Sequence, residues 1–157
     1  MGRVSEHGQP VNRIQDKKLT VGIVGVGDVV YNSHLPTLLA MKDVSVAWVT
    51  DRDYYRAEQV ARAYRVEWLR LPEQLAALPY TDIVLLAIPY GARGPYYEVL
   101  RHRKSALYVE KPFAMNADEH RQLCSLFSPP RLAIGFQRRS WGPVVLLKKL
   151  VSESVFG

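Results

Sequence analysis

Three short stretches hold the residues whose types and spacing can do chemistry. The first is Gly25-Val26-Gly27-Asp28-Val29-Val30. A turn this tight needs a residue without a Cβ, and a second glycine lets backbone N–H groups close on a pyrophosphate at a helix N-terminus. Val30 fills the third small position of the G-x-G-x-x-G pattern, so the turn alone is a weak sign of dinucleotide binding. The second stretch is Asp51-Arg52, where a carboxylate can accept hydrogen bonds from an adenosine ribose. The order of strand, glycine turn, helix, strand and acidic residue strengthens the sign. The competing reading is a structural turn followed by a helix-starting aspartate. The third stretch is Val109-Glu110-Lys111-Pro112-Phe113. A lysine at the carboxyl end of a parallel strand can orient a substrate hydroxyl or share in proton transfer while a hydride moves to or from a nicotinamide. A lysine before a turn proline is otherwise an ordinary surface residue.

Other candidates carry less. His120 and Cys124 stand four residues apart on an expected helix, a spacing that can hold a metal, but no second pair of ligands accompanies them. No metal site is therefore expected. His34 precedes Leu35-Pro36 and reads as packing rather than catalysis. There is no G-x-S-x-G elbow and no P-loop, which removes the usual hydrolase and triphosphatase signals.

The elements that must position these residues follow from the hydrophobic pattern. Leu19–Val24, Val44–Val49, Ile83–Ile88, Ala106–Val109 and Leu132–Phe136 are short apolar runs rich in branched residues, and read as buried strands. Ala57, Val60, Ala61 and Tyr64 place one apolar face on a helix over Arg56–Tyr64. Pro72 is expected in a first helical turn with Leu75 and Leu78 facing inward, and Pro95 in another before Tyr96–Leu100. Asn116 and Glu119 form a capping arrangement for a helix through Phe127, and Ser140 with Pro143 opens a last helix over Val144–Val151. Strands alternating with helices imply parallel strands and right-handed crossovers, hence an α/β, doubly wound, mostly parallel sheet. Fully apolar strands agree with helices on both faces. Residues 1–18, with no apolar periodicity, read as a flexible tail.

The chain has 157 residues, 48% hydrophobic and 23% charged, which suits one globular domain with its own core. One cysteine, Cys124, cannot form an internal disulfide, so a reducing, cytoplasmic setting is expected. No apolar run approaches a membrane span, and no secretory signal is expected. The net charge of +6 invites a nucleic-acid reading. Its basic clusters, Arg101-Arg103-Lys104 and the Arg131–Lys149 region, lack interleaved aromatics and any recognition signature. A solvated face or a site for a phosphate-bearing small molecule is expected, with no nucleic acid and no membrane as partner.

The series Val21–Asp28, His34-Leu35-Pro36, Thr50-Asp51-Arg52, Ala87-Ile88-Pro89, Glu110-Lys111-Pro112 and Gly135-Phe136-Gln137-Arg138-Arg139 resembles the nucleotide-binding half of the Gfo/Idh/MocA oxidoreductases. Glucose–fructose oxidoreductase and inositol dehydrogenase belong to that family. The resemblance covers residues 19–157 and implies a Rossmann-like domain binding NAD or NADP, with a slight lean to NAD. It implies cofactor contacts at Gly25, Gly27, Asp28 and Val29, at Asp51 and Arg52, at Ile88 and Pro89, and at Glu110 and Lys111. Lys111 would match the family's catalytic lysine, in hydride transfer to or from a sugar, cyclitol or related substrate. The family usually has Thr-Pro-Asn and a histidine three residues on; here stand Ile88-Pro89-Tyr90 and Arg93, and Val30 replaces a small residue. Its members continue into a second, open-sheet domain that supplies further catalytic residues. That domain is expected to be lacking here, with residues 144–157 leading toward it. A homodimer or partner chain is then expected. The alternative is a Rossmann-only binding or interaction protein without turnover of its own.

Overall fold

The computed structural model describes residues 17–128 and 130–154. The expected tail lies almost wholly outside the described residues. Five parallel strands form one sheet: β1 (Leu19–Val24), β2 (Val44–Thr50), β3 (Ile83–Leu86), β4 (Ala106–Val109) and β5 (Leu132–Ile134), in the order β2-β1-β3-β4-β5. The doubly wound architecture is as the apolar runs imply. β3 and β5 end earlier than their apolar runs because the chain turns away at Ala87 and Gly135 to form loops at the carboxyl edge.

The helices are α1 (Leu35–Ala40), α2 (Tyr54–Tyr64), α3 (Gly94–Leu100), α4 (Ala117–Ser125) and α5 (Gly142–Ser152). α2 begins two residues before Arg56 because Asp53 caps it, accepting from the Arg56 N–H at 3.1 Å. Asn116 caps α4 as its spacing predicts, accepting from the Glu119 N–H at 2.9 Å. The Glu119 carboxylate reaches one residue further back than in a capping box, to the Met115 N–H at 2.8 Å. α4 also stops at Ser125, short of Phe127, which is buried in the core. Ser140 does not cap α5, although Pro143 sits in its first turn as expected.

The helix expected after Pro72 is reduced to a single 3₁₀ turn, Leu75–Ala77. Pro79 explains the loss: the residue before a proline is driven out of helical conformation, and Leu78 has ψ 133°. Leu78 is nonetheless buried. A further difference lies beyond β2, where Trp68 makes one isolated parallel bridge to Val49. The Val49 N–H donates to Glu67 O and the Leu69 N–H to Val49 O, both at 2.9 Å. This is the position a third strand takes in the dinucleotide-binding order, here shrunk to a single pairing.

Both faces of the sheet are covered. Val21, Ile23 and Leu85 point to the side packed by α1 and α2, with Leu35, Ala57, Val60 and Ala61. Val24, Val84, Leu86, Leu107 and Val109 point to the other, against Tyr96, Tyr97, Leu100, Phe113 and Phe127. The alternation along each strand assigns neighbouring residues to opposite cores. α5 differs: Val144, Val145, Leu146, Leu147 and Val151 are all exposed.

One polar clasp ties β1 to the start of β3. The Asp82 carboxylate accepts from the Thr20 N–H at 2.8 Å and from its hydroxyl at 2.7 Å. The Thr20 backbone bond first, and its hydroxyl second, hold the Asp82 carboxyl below its ordinary value of 3.8. Its stabilisation is present above that value and is lost as pH falls through the lower value of the folded state. We expect Asp82→Asn to remove part of the acid-induced loss of stability below about pH 4. A chemical denaturation series whose pH dependence is the same in parent and variant would refute this.

Candidate functional site

The site grows from the carboxyl ends of β1, β2 and β3, where the strand order reverses direction. Gly25 follows β1 with φ 88°, a region that side chains rarely adopt. A Cβ there would stand 2.5 Å from Ala87 O and 2.7 Å from Ile88 Cγ2. The Gly25 N–H donates to Thr50 O and the Ala87 N–H to Val24 O, both at 2.8 Å, so three strand ends are drawn together. Gly27 is different, because a Cβ there would meet nothing within 4 Å. The space above it is free for a ligand's approach. A helical run begins at Asp28; the Val30 and Tyr31 N–H groups donate to Gly27 O at 2.9 and 3.0 Å, and the N–H groups of Asp28 and Val29 stand ahead of them at the start of the run.

This run does not start as a regular α-helix. Val30–His34 forms a widened π-type turn, closed by the Leu35 N–H to Val30 O, before α1 begins. Pro36 has no N–H to give and its ring crowds the preceding turn, which accounts for the widening. Val30 is buried, filling the place where the pattern expects a small residue.

Asp51 holds the glycine turn. One carboxylate oxygen accepts from the Val26 N–H at 2.8 Å and the other from the Asp53 N–H at 3.0 Å. Gly25, Gly27, Asp51, Arg52, Ile88 and Pro89 border one crevice of about 370 Å³, with Arg56, Ala92 and Tyr96. Burial first, and the Asp51 charge second, raise the Tyr96 phenol above its ordinary value, keeping it neutral. Six of the sequence-derived residues thus share one cavity. Asp28 is exposed and lines neither this cavity nor the next.

Lys111 and Val29 border a second cleft, of about 560 Å³, with Gly135, Phe136, Gln137, Arg138 and Arg139. Lys111 is exposed, and its peptide bond to Pro112 is cis. Glu110 is buried, and its side chain faces inward. His34 Nε2 lies 2.8 Å from Glu110 Oε1. A carboxylate oxygen can only accept, so Nε2 carries the proton. The other oxygen accepts from the Lys111 N–H at 3.2 Å. The Tyr108 ring stands edge-on to His34, with centres 5.6 Å apart. Burial first, then the Glu110 charge, pushes the Tyr108 phenol upward. His34 is therefore more than packing, although the residue that engages it is 76 positions away.

Arg93 stands 2% exposed between the loop that follows β3 and the loop that follows β4. Its Nε donates to Ile88 O at 2.9 Å, and Nη1 donates to Glu110 O at 2.6 Å and to Pro112 O at 2.5 Å. One guanidinium thereby ties the Ile88-Pro89 loop to the loop bearing Lys111. Tyr90 reaches Glu119 through its hydroxyl, fastening the same region to α4.

The sequence model of the oxidoreductase family with an NAD-binding Rossmann fold matches residues 19–129. The chain belongs to the Gfo/Idh/MocA oxidoreductases. It is 32% identical over 111 residues to a dTDP-3,4-didehydro-2,6-dideoxy-α-D-glucose 3-reductase from Streptomyces antibioticus, covering 69% of this chain and 33% of that protein. The fold is similar to myo-inositol dehydrogenase from Lactobacillus casei, solved with NAD(H) and myo-inositol (TM-score 0.76, 23% identity, 89% of this chain and 43% of that one). It is also similar to a 3-ketoreductase from Actinomadura kijaniata, solved with NADP and TDP-benzene (TM-score 0.75, 18% identity, 87% and 43%). This Gfo/Idh/MocA chain thus spans a third to under half the length of these relatives. It is a Rossmann-type, nucleotide-cofactor-binding domain of that family. Among the described residues no helix is long and apolar enough to cross a membrane.

Proposed function

We propose that residues 19–157 are the cofactor-binding domain of an NAD(P)-dependent oxidoreductase acting on a sugar, cyclitol or related substrate. The observation that carries this reading is the free space over Gly27 beside an Asp51 carboxylate in the same crevice. A pyrophosphate would lie against Gly25, Gly27, Asp28 and Val29, where backbone N–H groups face it. Asp51 and Arg52 would meet the adenosine ribose, and Ile88 and Pro89 would wall the crevice. When bound, the nicotinamide supplies or accepts the hydride. Lys111 would orient the reacting oxygen and hold or release the proton that accompanies hydride transfer. Glu110 would act on the lysine's backbone, held in turn by His34.

The relatives' names, a sugar 3-reductase and inositol dehydrogenases, support a hydroxyl or ketone substrate. A second reading, a dinucleotide-binding protein without turnover of its own, draws on the open side of the Lys111 cleft and on the exposed apolar residues of α5. Hydride transfer needs a wall that excludes water and a substrate held in line. Residues 144–157 would lead toward that wall, supplied by a second domain, another copy or a partner chain. The purified chain is expected to bind NADH, seen as a change in its fluorescence, and to leave NAD(P)+ unreduced with polyols. It is expected to self-associate or join a partner. A strictly monomeric chain with rapid polyol-dependent reduction would overturn the requirement for a partner.

Cofactor choice turns on two neighbours. Asp51 repels a 2′-phosphate, while Arg52 can pair with one. We expect NAD(H) to be preferred or the two to bind alike. Calorimetric titrations giving a tenfold preference for NADP(H), about 1.4 kcal/mol, would show that Arg52 outweighs the carboxylate.

A further inference from the structure

The buried Glu110 carboxylate is engaged through both of its oxygens. Oε1 lies 2.8 Å from His34 Nε2, and Oε2 accepts from the Lys111 N–H at 3.2 Å. The main chain of Glu110 is anchored to the sheet, its N–H donating to Leu86 O at 3.1 Å and its carbonyl accepting from Arg93. Its side chain is free of that duty, and it spans from the run after the glycine turn to the peptide of Lys111. Proton transfer at Lys111 and pyrophosphate binding at Gly27 do not by themselves call for a histidine between them.

Three separate features of the chain build this contact. The first is the widened turn Val30–His34. A π-type turn holds one residue more than an α-turn, and each residue advances the chain by about 100° round the helix axis. Regular α-helical winding from Asp28 would therefore swing the His34 side chain off Glu110. The second is Tyr108, whose edge-on ring, 5.6 Å from the imidazole centre, sets the tilt of His34. The third is Gly135. A Cβ there would stand 2.9 Å from Glu110 Oε1 and 3.0 Å from Tyr108 Oη, so a side chain would push the carboxylate from its place. Gly135 and Val29, from the run after the glycine turn, both border the Lys111 cleft.

We infer that His34 is a positioning residue: acting through Glu110, it registers the dinucleotide turn against Lys111, so that filling the crevice at Gly27 is felt at the lysine. A pyrophosphate on the N–H groups at the start of the run steadies Val30–His34. The imidazole then steadies the carboxylate, and the carboxylate holds the Lys111 N–H. Two sites joined in this way are coupled in free energy, and the coupling is lost when the link is cut. The inference rests on the proposed placing of the dinucleotide and of Lys111, and deepens the reading of that same site.

ADP separates transmission from direct contact, because it carries adenosine and a diphosphate but no nicotinamide to touch Lys111. In the 157-residue chain, saturating ADP should slow exchange of the Lys111 N–H with water, followed by NMR, about tenfold, a coupling of ordinary size. His34→Gln keeps a side-chain N–H where Nε2 stands, and should retain the effect. His34→Leu should lose it. Gly135→Ala should lose it too, because its Cβ displaces the carboxylate while the histidine remains. ADP affinity, read by calorimetry, should stay near the parent's in all three variants. If His34→Leu does not fold, Gly135→Ala decides. ADP that binds without slowing exchange at Lys111 overturns the inference alone, and so does slowing that survives in a folded His34→Leu or Gly135→Ala chain. The second result would leave His34 a merely structural residue. A parent chain that binds neither ADP nor NADH overturns the dinucleotide reading, and the inference with it.

Discussion

Gly27→Val is expected to leave the chain folded and to weaken NAD(H) binding about a hundredfold, or ~2.8 kcal/mol. A Cβ added there meets no protein atom within 4 Å, so the fold offers the new side chain an open start. It would instead project into the space through which a pyrophosphate must approach the backbone N–H groups of the helical run that starts at Asp28. Gly25 could not serve for this test. Its positive φ and its contact with Ala87 mean that any side chain there disturbs the sheet itself. NADH fluorescence titration reads the affinity, and thermal unfolding shows that the variant is folded. A folded Gly27→Val chain with parental affinity would place the pyrophosphate somewhere else.

Arg93→Met is expected to lower the unfolding temperature by roughly 10 °C. Methionine matches the aliphatic length but leaves the carbonyls of Ile88, Glu110 and Pro112 without their donor. The Glu110 carbonyl is buried and costs about 1–3 kcal/mol when orphaned, and the part-buried carbonyls of Ile88 and Pro112 add a smaller loss. Removing a buried cation that has no acidic partner among the described residues returns part of this. A net loss of about 3 kcal/mol corresponds to ~6–12 °C for a chain of this size. Arg93→Lys supplies a charge but not two directed edges, and should fall between parent and methionine. Scanning calorimetry showing all three chains melting together would mean that water satisfies these carbonyls unaided.

The two effects separate what a linear reading can find from what it cannot. The glycine turn, Asp51 and the strands β1 and β4 are visible because each is written in consecutive residues. The apolar runs mark strands buried on both faces, and the turn follows its strand directly. Long-range partners leave no such trace. His34 carries no mark that it will meet Glu110, and Arg93 reads as a charged loop residue although it ends 2% exposed. The failed helix after Pro72 was legible in principle, since Pro79 stands only seven residues later. The bridge at Trp68 was not, because a one-residue pairing has no periodicity. Arg138 and Arg139 stand out as charge, but only the folded β5 end brings them to the cleft of Lys111.

Asp51 has a consequence for anyone who would redesign this protein to use the other nicotinamide cofactor. The first exchange to try would replace its carboxylate with a small neutral side chain, to admit a 2′-phosphate. The same two oxygens receive the Val26 and Asp53 N–H groups, so the exchange would also release the glycine turn and the entry to α2. Such a variant would lose grip on both cofactors before it gained any for one. Arg70, stacked on Tyr54 in the neighbouring cleft that Asp51 and Arg52 share, offers a safer handle. Altering it would change the charge beside the place proposed for the ribose while the turn keeps its anchor.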